Sequence, residues 1–145
     1  MQYAVKLGLK GQADKIRNQD GLSMADFICR QVGCSIFEKI NVRGLNAGYF
    51  LVADEKASFK DYPFINPFGS WLYGFQDHGS PILGIALILK LVDTPEGPDF
   101  GFLDEQEADL LVAWLKERYP MMKRDMRRAF ARFNDHIIIK DSDNV

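Results

Sequence analysis

The chain has 145 residues, of which 47% are hydrophobic and 26% charged, and its formal net charge at pH 7 is −2. This composition is typical of a soluble globular protein, and we predict a single domain over residues 1–145. The small net charge excludes a general electrostatic attraction to nucleic acid or to acidic membranes.

The first third of the chain predicts one helix between strands. Apolar and polar residues alternate over residues 3–9, which indicates a strand, whereas the polar residues 11–21 indicate a loop. Ser23 is a candidate N-cap for a helix that Gly33 is placed to end. Further strands are predicted at residues 34–40 and 49–53.

The cysteine content and the N-terminal sequence indicate the cellular compartment of the protein. Cys29 and Cys34 are the only two cysteines, and they do not form a Cys-x-x-Cys pair. The N-terminal residues lack the basic and then apolar layout of a secretion signal. We therefore expect a cytoplasmic protein with two buried thiols rather than a disulfide.

Residues 54–80 are rich in Pro, Gly and aromatic side chains, and regular structure is predicted only for a turn or two near residues 70–73. A long aromatic loop is either a packed cover over the core or a binding surface for bases or an apolar ligand. Both interpretations stay open here. The candidate surface residues in this loop are Trp71, Tyr73, Phe75 and His78.

The longest apolar run extends over eleven residues, from Ile82 to Val92. Its β-branched residues and the prolines on both sides favour a central strand that is buried on both faces. The run is too short to cross a bilayer, which requires about 20 residues, so we expect no membrane association. A turn rich in Pro and Gly is predicted at residues 94–101.

The last third is predicted to be helical over about residues 104–134. Asp104 can act as the N-cap of the first helix. Pro120 disfavours helical geometry at the residue before it, so we predict that this helix ends there and that a second helix covers residues 121–133. A short edge strand is predicted at residues 136–140.

Taken together, these elements predict the α+β class. We expect a mainly antiparallel sheet of four to five strands, with helices packed on one side of it. The sequence shows no internal repeat and no interdomain linker.

Three stretches are similar to one protein family. The first stretch is Leu22-Ser23 with Gln31 to Glu38. The second is Leu51 to Lys56 with Pro63, Asn66-Pro67 and Leu72-Tyr73-Gly74. The third is Ile82 to Ile88. Over about residues 22–92, the chain resembles the bacterial and phage proteins grouped as the domain-of-unknown-function family 3846. The resemblance implies a small α+β domain encoded on a mobile element, and it implies no activity.

Cationic side chains are concentrated in residues 116–132, where seven Lys or Arg residues stand against two acidic ones, a net charge of +5. Helical spacing places many of these cations on one face, opposite methionine and phenylalanine. Such a face either binds phosphates or an acidic partner, or is simply solvated. The candidate binding residues are Lys123, Arg124, Arg127, Arg128 and Arg132.

No catalytic signature is present at a recognised spacing, whether a P-loop, a dinucleotide fingerprint, a nucleophile elbow or a zinc motif. Asp54 and Glu55, at a predicted strand end, are interpreted as the entry to a turn. We therefore expect no catalytic residues, no metal site and no cofactor.

The leading hypothesis is a non-catalytic accessory protein of a phage or other mobile element that binds a host or element-encoded protein. The alternative is a nucleic-acid-binding protein that uses the basic C-terminal helix. A third possibility is a small ligand bound under the aromatic loop. The sequence does not predict the oligomeric state.

Overall fold

The computed structural model describes residues 1–46, 48–59, 64–78 and 80–130. Its strands are β1 (Tyr3–Leu7), β2 (Ala13–Arg17), β3 (Phe37–Ile40), β4 (Tyr49–Asp54), β5 (Ala86–Thr94) and β6 (Gly97–Gly101). Its α-helices are α1 (Met24–Val32), α2 (Pro67–Tyr73), α3 (Phe75–His78) and α4 (Glu105–Ala129). Within these residues, six strands form one antiparallel sheet in the order β2-β1-β5-β4-β3, and β6 also pairs with β5.

β5 is the central strand of this sheet, as predicted. Its first residues pair with β1 on one side and β4 on the other, and its later residues pair with β6. Ala86 and Ile88 contribute to an apolar cluster on one face, whereas Leu87 and Leu89 contribute to a cluster on the opposite face. All four side chains are fully buried.

Helices cover both faces of the sheet. α1 packs on one face through Phe27 and Ile28, and α2 and α4 pack on the other through residues such as Phe68 and Leu115. The α+β class and the antiparallel sheet are confirmed, but the sheet has six strands and its helices do not lie on one side only. The reason is that β4 and β5 carry buried apolar side chains on both faces, so that each face needs a cover.

The structure confirms the predicted ends of α1 but not the predicted burial of the two cysteines. The Ser23 hydroxyl accepts a hydrogen bond from the Asp26 N–H at 3.2 Å, and Gly33 ends the helix in the left-handed conformation, so both predicted helix boundaries are confirmed. Cys29 and Cys34, which were expected to be buried, are instead half-buried thiols.

Three strand boundaries differ from the prediction. β2 lies in the segment predicted as a loop, because an edge strand that buries little beyond Ala13 needs no alternation of apolar residues. β6 lies in the predicted turn and forms a hairpin with β5. β5 begins at Ala86 rather than at Ile82, because Gly84 has a left-handed φ of 79° that interrupts the extended chain.

α4 is one continuous helix of 25 residues with Pro120 inside it, so the predicted break at this proline was wrong. Proline removes one helical hydrogen bond and disfavours the helix interior by about 3 kcal/mol. Leu115 before it and Met122 and Met126 after it are fully buried in the same apolar cluster. Burying each such side chain contributes roughly 1.5–3 kcal/mol, which offsets the proline. The part of the predicted second helix beyond residue 130, and the strand predicted at residues 136–140, lie outside the described residues.

Replacing Pro120 by Ala tests the continuity of α4. The substitution restores an N–H that can bond to the carbonyl of Lys116, so we expect the free energy of unfolding to rise by about 1–3 kcal/mol in urea denaturation. Glu117→Ala, at an exposed position in the same helix, is the control and should change stability much less. If the helix ended before Pro120, the substitution would not raise the free energy of unfolding.

Candidate functional site

The buried side chain of Asn66 attaches α2 to the sheet. Its Nδ2 donates to the carbonyl of Leu7 at 2.9 Å and to that of Gly84 at 2.8 Å. Its Oδ1 accepts from the N–H of Gly69 at 2.8 Å and thereby caps α2. The position of α2, which carries Trp71, is therefore set by β1 and by the segment that leads into β5.

Asn66→Ala would remove these three hydrogen bonds from a site closed to water. Because each buried polar group left without a partner costs about 1–3 kcal/mol, we expect the free energy of unfolding to fall by roughly 3 kcal/mol or more. Urea denaturation followed by circular dichroism measures the loss. Asn46→Ala changes an exposed asparagine and should cost little. Equal losses in the two variants would contradict the role assigned to Asn66.

A groove of about 390 Å³ lies between the end of α2, α3 and the C-terminal turns of α4. We call it the α2–α4 groove. It is lined by Trp71, Gly74, Phe75, Gln76, Asp77, Asp125, Met126 and Arg128. The groove unites residues of the aromatic loop and of the basic helix, which the sequence predicted as two separate surfaces.

Two contacts hold the walls of this groove together. The indole Nε1 of Trp71 donates to the carboxylate of Asp125 at 3.0 Å. The ring of Phe75 stacks on that of Phe130, with ring centres 4.8 Å apart and planes inclined by 22°. Trp71 and Phe75 also pack against the buried core, so these aromatic side chains close the core and line the groove at once.

The end of α4 has a buried apolar face and an exposed basic face, as its sequence predicted. Met122 and Met126 are buried, whereas Arg124, Arg127 and Arg128 are exposed. The guanidinium of Arg124 lies 3.4 Å from the carboxylate of Asp125, a solvent-exposed contact that is worth little. Arg128 forms no ion pair with any residue that the structure describes.

A second, more open depression of about 600 Å³ runs along the same face of α4. The ammonium of Lys123 lies 5.7 Å from the ring centre of Tyr119 there, a cation–π contact. The depression is lined by Tyr119, Pro120, Lys123, Arg124, Arg127 and Arg128. Four of the five predicted cationic residues thus surround one surface.

The other predicted site residues lie elsewhere. Tyr73 packs against the core and does not line the α2–α4 groove. His78 is the last residue of α3, and its side chain is not among the described parts of the chain. Arg132 lies outside the described residues.

Three polar residues that line the groove were missed by sequence reasoning. Asp125 is the acceptor for Trp71, although the two residues are 54 positions apart. Asp77 forms an ion pair of 2.9 Å with Arg43, and Gln76 adds an amide. The one available signal was an acidic residue, Asp125, within an otherwise basic run.

The acidic residues near the end of β4 have a structural role. The Oδ1 of Asp54 accepts from the N–H of Lys56 at 2.9 Å, which confirms the interpretation as a turn entry. Burial raises the pKa of the nearby Glu38, and the charge of Glu55 raises it further. Among the described residues, no group of three or more His, Cys, Asp or Glu side chains could hold a metal ion. None of the described helices is both long and apolar enough to span a membrane.

Glu107 anchors the N-terminal end of α4 to the sheet. Its carboxylate accepts from Lys90 at 2.7 Å, from the Tyr49 hydroxyl at 3.0 Å and from the Asp104 N–H at 3.0 Å. Burial acts to raise the pKa of Glu107, but these three donors lower it more, so the pKa lies below its usual value. The predicted cap at Asp104 is confirmed as a full capping box.

This lowered pKa predicts how stability depends on pH. A carboxyl whose pKa is lower in the folded state contributes stability that is fully present above the unfolded pKa, about 4.3, and is lost as the pH falls through the folded pKa. Glu107→Gln should therefore be less stable than the parent at neutral pH, and the gap should narrow below about pH 4. Urea denaturation across this range measures it, with the exposed Glu96→Gln as control. If the difference in free energy of unfolding between the parent and Glu107→Gln did not change with pH, the lowered pKa assigned to Glu107 would be wrong.

Comparison of the chain with models of protein families, with curated proteins and with solved structures gave no match. The resemblance seen in residues 22–92 therefore stays a prediction. What the protein does has to be inferred from the α2–α4 groove and the cations beside it.

Proposed function

We propose that the protein is a non-catalytic accessory protein that acts in the cytoplasm by binding an acidic segment of another protein in the α2–α4 groove. One observation carries the proposal: Trp71 and Phe75 line the same groove as Arg128. Trp and Arg are enriched among the residues that contribute most to protein–protein binding, and aromatic residues in general are enriched at interfaces.

Charge complementarity supports an acidic partner that contacts the cations beside the groove, because the lining of the groove itself holds two carboxylates, Asp77 and Asp125, against the one guanidinium of Arg128. Both carboxylates already have partners, Arg43 for Asp77 and the Trp71 indole for Asp125. Residues 116–130 hold six Lys or Arg against two acidic residues, whereas the whole chain has a net charge of −2. The positive charge is thus a local property of one end of α4. A local patch of this kind attracts a partner of opposite charge and orients its approach.

The shape of the groove supports a segment that carries an apolar side chain as well as acidic ones. Its volume of about 390 Å³ can accommodate one or two side chains, and Met126 forms part of its wall. An apolar side chain of the partner would enter between Trp71 and Phe75. Its acidic neighbours would then reach Arg128 in the groove and Arg124 in the adjoining depression, which Arg128 also lines.

The family resemblance also indicates a source for the partner. The family resemblance implies that the gene lies on a phage or another mobile element. A host protein or one encoded on the same element would then be the partner. This part rests on the resemblance alone.

Nucleic-acid binding is the second candidate, and the open depression along α4 favours it. Lys123, Arg124, Arg127 and Arg128 surround that surface within two helical turns, and each of them is a side chain that can neutralise a phosphate. The aromatic rings favour a protein partner instead. The Trp71 indole is hydrogen-bonded to Asp125, and the Phe75 ring is already stacked on Phe130, so neither ring is positioned to stack on a base.

Fluorescence anisotropy with labelled probes tests the proposal. One peptide probe would be rich in Asp and Glu with a central Phe, a second would have Ser in place of the Phe, and short single- and double-stranded DNA and RNA would complete the set. We expect the Phe peptide to bind more tightly than the Ser peptide. Arg124→Glu combined with Arg128→Glu should weaken its binding by roughly tenfold or more, equivalent to about 1.4 kcal/mol.

The matched control is Arg17→Glu combined with Arg30→Glu. It changes the net charge equally, but these residues line a different depression beside α1. Equal effects of the two double variants, or no peptide binding at low salt, would contradict the proposal. Tighter and steeply salt-dependent binding of the oligonucleotides would establish the second candidate in its place.

A further inference from the structure

The end of α1 brings the two cysteines of the chain together. Cys29 lies in the last turns of the helix, and Cys34 follows the terminal Gly33. Their Sγ atoms are 3.6 Å apart, and both residues are half-buried, so solvent reaches them. This pair is remote in the fold from the α2–α4 groove, since α1 packs on the opposite face of the sheet.

The backbone explains this approach. Gly33 has a φ of 78°, and the N–H groups of Gly33 and Cys34 both donate to the carbonyl of Cys29, at 2.9 and 3.1 Å. The Cys34 bond is the 6→1 bond of a Schellman motif, and the Gly33 bond is the 5→1 bond of an αL motif. Together they bring the fourth-from-last residue of α1 against the second residue after the helix. An apolar pair usually occupies those two positions, but here each one carries a thiol.

We propose that Cys29 and Cys34 form a redox-active dithiol that a low-molecular-weight disulfide, such as oxidised glutathione, converts into an intramolecular disulfide. One cysteine thiolate attacks a sulfur of the oxidant and releases one small thiol, which leaves a mixed disulfide. The second cysteine thiolate then attacks the protein sulfur of that mixed disulfide and releases the second small thiol. The two protein thiols lose two protons and two electrons, and the oxidant is reduced to two thiols.

The geometry favours closure within the chain over reaction between chains. A disulfide bond measures about 2.0 Å, so the sulfurs need to approach by roughly 1.6 Å from their present separation. Hydrogen bonds already hold the backbones of the two residues together. The Cys29 thiol otherwise points to the carbonyl of Ser35 at 3.9 Å, a weak contact that is easily given up. Closure would tie the end of α1 to the segment that leads into β3.

Equilibration of the full chain in glutathione buffers tests the proposal. Alkylation of the remaining thiols and intact mass spectrometry measure the oxidised fraction as the ratio of oxidised to reduced glutathione rises at a fixed concentration of reduced glutathione. We expect the main product to be a monomer that is lighter than the reduced chain by two hydrogen atoms. Because the fold holds the sulfurs together, the native chain should become half-oxidised at a ratio about tenfold lower than the same chain in concentrated urea.

Single variants separate the two steps. Cys29→Ser and Cys34→Ser should each stop at the mixed disulfide with glutathione, because no second thiol is present to displace it. Three results would overturn the proposal: equal or easier oxidation of the chain in urea, a disulfide-linked dimer as the main product, or mixed disulfides on both cysteines of the parent chain.

Discussion

The buried amide of Asn66 is the contact on which the geometry of the α2–α4 groove depends. Its three hydrogen bonds connect the end of β1, the approach to β5 and the first turn of α2. Since an unsatisfied buried polar group costs about 1–3 kcal/mol, α2 cannot shift without losing several such bonds at once. Trp71 therefore meets α4 at one defined place, where its indole N–H finds the carboxylate of Asp125.

The second requirement is that α4 continues past Pro120. Burial of Met122 and Met126 in the same cluster as Leu115 maintains the direction of the helix across the proline. The cationic turns that follow are consequently carried to the wall of the groove. A helix that ended at Tyr119 would leave the direction of those cations undefined, and the aromatic and basic residues would form two unrelated surfaces.

The residues that carry the family resemblance have structural roles in this chain. Asn66 caps α2, Leu72 is buried in the core, and Gly74 ends α2 in a left-handed conformation with a φ of 74°. Gly84 interrupts the extended chain before β5. A resemblance that rests on such residues bears on how the chain folds, whereas the groove residues Asp125 and Arg128 lie outside the resembling stretch.

The sequence by itself determined the features whose causes are local: the caps at Ser23 and Asp104, and the central position of the apolar strand β5. These depend on hydrogen bonds and periodicity within a few residues, which a sequence displays directly. Only the tertiary structure decided the edge strands β2 and β6, the passage of α4 through Pro120 and the contact between Trp71 and Asp125. The Trp71–Asp125 contact and the packing that carries α4 through Pro120 join residues far apart in the chain, and such contacts override local preference. β2 and β6 pair with their neighbours β1 and β5 in hairpins, but their own residues have little strand propensity, so it is the pairing that makes them strands.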